Sequence, residues 1–172
     1  MKYLKKWILD QKKVNKIIIK RKNLDSLENW YVSNKKIYHK TWKFFQIIGI
    51  RVFSNLNKKT WDQPIMVQNE SGILGIIRKK FDHEHKYLLQ AKLEPGNVNK
   101  LQLSPTVQAT ESNYKRVHGG KKTLFLNYFI NKKFLVNSKQ SEQGLRYLNK
   151  FNTNYMVETR KKVNLPTKFK WF

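Results

Sequence analysis

"YLLQAKLEPGNVNKLQLSPTVQAT", residues 87–110, is the stretch whose reading decides the fold. Two short runs of Leu, Ala, Val, Gln and Thr flank a segment, "PGNVNK", that suits a turn. Successive strand side chains point to opposite faces, so each run divides in two. In the first run Tyr87, Leu89, Ala91 and Leu93 are expected on the core side, with Gln90, Lys92 and Glu94 opposite. In the second the core side is Leu101, Leu103, Pro105, Val107 and Ala109, and the opposite side is Gln102, Ser104, Thr106, Gln108 and Thr110. A turn between the runs puts both polar faces on one side of one sheet. Pro105 belongs at an edge or a bulge and not in a central strand, and bulges re-aim side chains beside active sites.

The neutrality of this stretch is informative because the chain around it is not neutral. There are 36 Lys and Arg against 11 Asp and Glu, a formal charge of +25, yet Leu101 to Ala109 carry no charge. A solvated face in such a chain should have collected Lys; this one collected Gln, Ser and Thr. Converging amides and hydroxyls orient sugars and nucleobases in preformed clefts. An ordinary sheet face, or polar side chains that satisfy a neighbouring loop, would leave the same pattern, and the alternation alone does not choose between them.

Working outward, the other runs are mostly strand-like: "KIIIK" (16–20), "FFQIIGIRVF", "PIMVQ", "GILGIIRK", "LFLNYFI" and "NYMVET". "FDHEH" suits a hairpin connection. Residues 2–13, with Leu4, Trp7 and Ile8 at helical spacing, predict a short amphipathic helix, and "SEQGLRYLNKF" a second one, opened by Ser141 and burying Leu145, Leu148 and Phe151. Asp25, three residues before Glu28, predicts a capping box over one helical turn. Strands bracketed by a few helices give an α+β domain. With 172 residues and no internal repeat or linker, one domain over 1–172 is expected.

Composition narrows the function classes. The chain has no cysteine, so a disulfide framework and a thiolate metal site are excluded. The amino-terminal apolar run is short and interrupted by charge, and no stretch approaches the roughly 20 apolar residues needed to span a bilayer. A soluble, cytoplasmic protein is expected. The charge suggests an anionic partner, and a basic nucleic-acid-binding protein of ribosomal type is the alternative reading. The basic residues are scattered along the chain, however, as they are when Lys drifts onto every solvated surface.

"WDQPIMVQNESGILGIIRKK", "YLLQAKLEPGNVNKLQLSPTVQATESNYKRVHGG" and "SEQGLRYLNKFNTNYMVE" resemble the signature segments of the NDP-hexose 2,3-dehydratase family. "LENWYVSNKKIYHKTWKFFQIIGIRV" is similar to that family's upstream segment, so the resemblance runs from about Lys16 to Phe172. It implies a Nudix-like mixed β-sheet flanked by helices, in a single module of what is usually a tandem pair. It also implies an enzyme of deoxysugar biosynthesis that removes water across C2 and C3 of a nucleoside-diphospho-4-keto-6-deoxyhexose. A single-module relative that binds a sugar nucleotide without turning it over is the other form this resemblance allows. Nothing here is like the Glu-rich metal box of Nudix hydrolases. The chain departs from the family pattern at Glu111, where Arg is usual, and at Lys150–Asn154, where "KFNTN" stands for an Arg-rich "KRNRN". A homodimer, or a partner module, is expected to supply the missing half.

The C4 ketone acidifies the C3 proton, so elimination needs a base, a donor to the enolate oxygen and an acid for the C2 hydroxyl. No step transfers electrons, so no cofactor is expected. His118, Tyr114, Lys92 and Glu94 are the candidate catalytic groups in the matched motif; His118 titrates near neutrality and is the natural proton carrier. Lys92 and Glu94, on one strand face, are as well suited to a structural ion pair. Gln90, Gln108, Thr110, Ser112 and Asn113 are candidate sugar and nucleotide contacts, Trp61 and Gln63 a candidate base platform, and Asn152 and Asn154 candidate pocket-border residues. His83, Glu84 and His85 fall in a hairpin outside the motif, and no metal site is assigned.

Overall fold

The computed structural model describes residues 2–42, 44–114, 122–130 and 133–172. They form two compact units: a larger one of Met1–Lys20, Gly72–Lys139 and Thr153–Phe172, and a smaller one of Arg21–Ser71 and Gln140–Asn152. In chain order the elements are α1 (Lys2–Val14), a 3₁₀ turn at Leu24–Ser26, β1 (Trp30–Val32), β2 (Lys36–His39), β3 (Gln46–Ser54) and β4 (Lys59–Val67). There follow β5 (Gly72–Phe81), β6 (Glu84–Leu93), β7 (Leu101–Pro105), β8 (Val107–Thr110), α2 (Glu111–Tyr114) and a 3₁₀ turn at Leu126–Tyr128. The last are β9 (Val136–Ser141), β10 (Phe151–Glu158) and β11 (Phe169–Trp171). The class is α+β, mostly sheet with few helices.

The expected β5–β6 hairpin forms. Phe81 pairs with Glu84, and Asp82 in the two-residue connection takes a left-handed φ of 48°, a conformation Asp tolerates. The ladder runs antiparallel from Phe81↔Glu84 to Ile77↔Leu88, and there it opens. Beyond that point β6 pairs with β7, from Leu89↔Pro105 to Leu93↔Leu101, and β5 pairs with β8, from Gly75↔Val107 to Gly72↔Thr110. The neutral stretch is thus wedged into a fork between two strands, changing partner at Pro105–Thr106.

Thr106 is the pivot of that change. It is 1% exposed, its hydroxyl accepts the Ile77 N–H at 3.0 Å, and it donates to the Leu88 carbonyl. Gln90, also buried, donates its amide to the carbonyls of Pro105 (2.9 Å) and Thr106 (3.3 Å). Buried backbone groups must find partners; at a fork the ladder cannot supply them, and these two side chains do.

The fork corrects the expected alternation. Leu103, expected in the core, is 38% exposed, while Ser104 and Thr106, expected outside, are buried. Thr106 and Val107 are buried in succession because the phase slips where the chain changes partner, with Thr106 left between the two ladders. Tyr87 is 36% exposed, while its neighbour Leu88, pointing to the opposite face, is fully buried. One face carries Ile77, Leu88, Val107, Ala109, Phe129, Val157 and Phe169. The other packs Ala91 and Leu101 against Trp7, with Leu4 and Ile8 of the expected helix α1 beside them. Gly75 is required by the first core: a Cβ there would lie 2.5 Å from the Phe129 ring.

The smaller unit is built on an antiparallel sheet in the order β1-β2-β3-β4, with registers Tyr31↔Tyr38, Ile37↔Ile47 and Val52↔Trp61. Several expected elements are absent. "KIIIK" forms no strand and leaves Ile18 exposed, because its β-branched run finds no sheet partner. The turn at Leu24–Ser26 has Asn23, not Asp25, at its cap position and no side-chain capping bond. "SEQGLRYLNKF" is a turn in place of a helix: Arg146 and Tyr147 both donate to the Gln143 carbonyl, Met66 and Tyr147 form a parallel bridge, and Leu145 is 76% exposed. "LFLNYFI" makes a 3₁₀ turn entered through Phe125 in the left-handed region (φ 62°), and buries Phe129.

Candidate active site

The strand switch borders a cleft of about 390 Å³ in the larger unit. β6 contributes Gln90 and Lys92, the switch contributes Thr106, Val107 and Gln108, and the start of β11 contributes Lys168 and Phe169. Residues 122–124 complete the lining. Pairing of Phe169 with Gln90, together with the Ala91 N–H donated to the Lys168 carbonyl at 2.8 Å, sets Lys168 beside this part of β6.

Four of the predicted site residues come together here. Lys92 Nζ lies 2.9 Å from Glu94 Oε1, the structural ion pair already weighed against catalysis. Gln108 donates to the same carboxylate at 3.5 Å and accepts from Ser104 Oγ at 2.8 Å. Asn97 donates to the second Glu94 oxygen at 3.4 Å. Glu94 therefore ties the turn to the cleft edge and offsets the Lys92 charge. Gln90 and Thr106 have their polar groups on the fork's backbone. Thr110 and Ser112 hydroxyls lie 3.2 Å apart where β8 runs into α2, with Ser112 buried and Asn113 exposed. His118 and the Tyr114 side chain lie outside the described residues.

The other predicted contacts serve local structure. Trp61 donates its indole N–H to Gln63 at 2.7 Å, and Gln63 donates to the Leu145 carbonyl at 3.0 Å, all within the smaller unit. Asn152 donates to Glu142 at 2.7 Å, and Lys150, buried, donates to the Glu70 carbonyl at 2.7 Å. Burial holds the Lys150 ammonium below its ordinary range, opposed by Glu142 and Glu70. Asn154 is half-buried on β10 in the larger unit. Lys122 and Lys168 line the cleft and were missed, because one more Lys carries no signal in a chain with this composition. Among the described residues no group of three or more His, Asp or Glu is placed to hold a metal ion. No helix of the described residues is long and apolar enough to cross a membrane.

The chain is thus an α+β, mostly sheet protein with a cleft lined by lysines and amides at the strand switch. The NDP-hexose 2,3-dehydratase family model matches residues 1–172, and the chain belongs to that family. It is 38% identical to the dTDP-4-dehydro-6-deoxy-alpha-D-glucopyranose 2,3-dehydratase of Streptomyces violaceoruber, over 96% of this chain and 39% of that protein. The protein of the same name from Saccharopolyspora spinosa is 40% identical, over 96% of this chain and 35% of its own length. The chain thus spans well under half the length of the curated relatives it matches.

Proposed function

We propose that this chain is a sugar-nucleotide 2,3-dehydratase module with a Nudix-like fold, eliminating water across C2 and C3 of an NDP-4-keto-6-deoxyhexose. The observation that carries the reading is the cleft at the strand switch, where the amide of Gln108 stands with Lys92, Lys122 and Lys168. Lysines offer point charges to a diphosphate, and amides and hydroxyls orient a sugar. The name that the relatives share supports the thymidine nucleotide as first substrate to try. His118 removes the C3 proton, the electron pair moves to the C4 oxygen as an enolate that Tyr114 stabilises, and the C2 hydroxyl leaves as water with a returned proton. Gln90, Thr106 and the Lys92–Glu94 pair act as positioning residues. Thr110, Ser112 and Asn113 continue the polar lining toward the motif that carries His118. A second module of the same kind completes the enzyme.

The test is a single turnover with dTDP-4-keto-6-deoxyglucose in deuterated solvent, read by mass spectrometry. Loss of one water that His118→Ala abolishes, with nucleotide affinity kept, is the expected result. Exchange at C3 without elimination places the defect at the leaving group. Neither exchange nor elimination, at any chain concentration and with bound nucleotide verified, refutes the catalytic reading.

A further inference from the structure

A second cavity, of about 290 Å³, lies in the larger unit. Its walls come from the carboxy-terminal end of β10 and the following residues (Val157, Glu158, Thr159 and Lys161), from Asn127 and Tyr128, and from Lys133. The buried Val157 forms part of the lining and the Tyr128 ring another apolar part. The backbone on one side is fixed: Thr159 N–H donates to the Arg78 carbonyl at 3.0 Å, the Thr159 hydroxyl accepts the Lys161 N–H at 3.2 Å, and Lys79 Nζ donates to the Lys161 carbonyl at 3.1 Å.

Charge is distributed unevenly around this cavity. Glu158 is the acid in the lining, and Arg78 offsets it through two nitrogens at 2.8 and 2.9 Å from Oε2, with His85 at 3.5 Å from the same oxygen. Lys133 and Lys161 have no carboxylate partner among the described residues. The cleft at the strand switch also holds lysines, of which Lys92 is offset by Glu94. Two unpaired ammonium groups beside an amide, a phenol and an apolar wall form a setting in which an anion is attracted and a ring is oriented.

We propose that this cavity is a second ligand site, for a phosphorylated monosaccharide. Its volume lies just below the usual range of small-molecule pockets, roughly 300–1,000 Å³, which suits a ligand as small as a hexose phosphate. The lysines take the phosphate; Asn127 and Tyr128 take the ring. The two cavities share one short segment. Residues 122–124 line the cleft, Phe125 and Leu126 pack on the core between, and residues 127–128 line the second cavity. Phe125, with a φ of 62°, is a bulky residue in a backbone region such residues rarely adopt. A ligand held at Asn127 and Tyr128 therefore bears on the segment that carries Lys122.

The experiment is calorimetric titration of the full chain with glucose 1-phosphate, inorganic phosphate and glucose separately. Saturable binding of glucose 1-phosphate, with a Kd on the order of 0.1–1 mM, is expected. Phosphate and glucose should each bind at least about tenfold more weakly. The exposed pair Lys133→Gln/Lys161→Gln should lower the affinity about tenfold or more, with Asn127→Ala as an independent reading of the same site, while Lys168→Gln in the cleft leaves it unchanged. No saturation up to ~10 mM overturns the proposal. So does binding that Lys168→Gln removes and the double variant keeps, since the ligand is then in the cleft. Equal affinity for phosphate alone overturns the sugar assignment, and equal affinity for glucose overturns the role of the lysines.

Discussion

Replacing Thr106 by Val removes one hydroxyl from the fork and keeps its volume. The hydroxyl accepts the Ile77 N–H and donates to the Leu88 carbonyl, at a site 1% exposed. Without it both backbone groups lose this buried partner, because they lie where β5 and β6 part and before the β6–β7 and β5–β8 ladders begin. Each unsatisfied buried group costs about 1–3 kcal/mol, so with two of them Thr106→Val should destabilise the chain by roughly 2–6 kcal/mol. Thr106→Ser keeps the hydroxyl and deletes a methyl, which costs about 1 kcal/mol. The assay is urea unfolding followed by fluorescence, comparing midpoints at a common slope. A large loss for Val with a small one for Ser identifies the hydroxyl as what closes the fork. Equal losses would mean that packing, and not the two hydrogen bonds, holds the switch. A Val variant within about 0.5 kcal/mol of the parent would mean that the backbone groups find other partners, and the account of the fork would be wrong.

Gly75→Ala should destabilise by about 1–3 kcal/mol, since the new Cβ meets the Phe129 ring 2.5 Å away; Phe129→Leu in the same chain should recover part of that loss in urea unfolding. Lys168→Gln should weaken binding of thymidine diphosphate roughly tenfold and reduce the salt dependence of its Kd; an unchanged salt slope would remove Lys168 from the anion site. Burial lowers the Lys150 ammonium in the folded chain, so in the alkaline window below its ordinary value of 10.5 the unfolded chain binds more protons than the folded one, and stability rises with pH there. Thermal midpoints across that window should show the rise in the parent and a flatter profile in Lys150→Gln; a fall attributable to Lys150 would contradict the burial effect.

The hairpin around Asp82 was legible because its signals are local: alternation on both sides and a residue that accepts a left-handed turn. Helix α1 was legible for the same reason, from Leu4, Trp7 and Ile8 on one face. The fork was only half legible. Pro105 announced a break, but which residues turn inward depends on β5 and β6 parting at Ile77 and Leu88, a long-range event without a mark in the local pattern. The expected helix over "SEQGLRYLNKF" had the right spacing, yet Gly144 weakens a helix by about 1 kcal/mol and Tyr147 is drawn into a bridge with Met66. The candidate site divides along the same line. The amides and hydroxyls stood out against a Lys-rich background, whereas Lys122 and Lys168 were hidden by it.

If the resemblance holds residue by residue, cations are expected where this chain has Glu111 and, in "KFNTN", uncharged residues, and the proposed diphosphate site draws its field from elsewhere. Electrostatic attraction depends on where charge sits in space and not on which strand supplies it. Two further lysines, Lys122 and Lys168, line the cleft from two other segments, while Lys92 is offset by Glu94. An ammonium on a flexible stem does not reproduce the planar fork of Arg, which grips a phosphate through two parallel bonds. Lysine substitution of this kind preserves attraction and gives up orientation. The orienting task then falls to the neutral groups, and this is where the fork matters: Thr106 and Gln90 fix the backbone at the switch, and Ser104 and Glu94 fix the Gln108 amide. On the proposed reading of the cleft, the neutrality of residues 101–109 follows from that division of labour. A lysine among them would add charge where the cleft already has it, and would remove a group whose position is held by the fold.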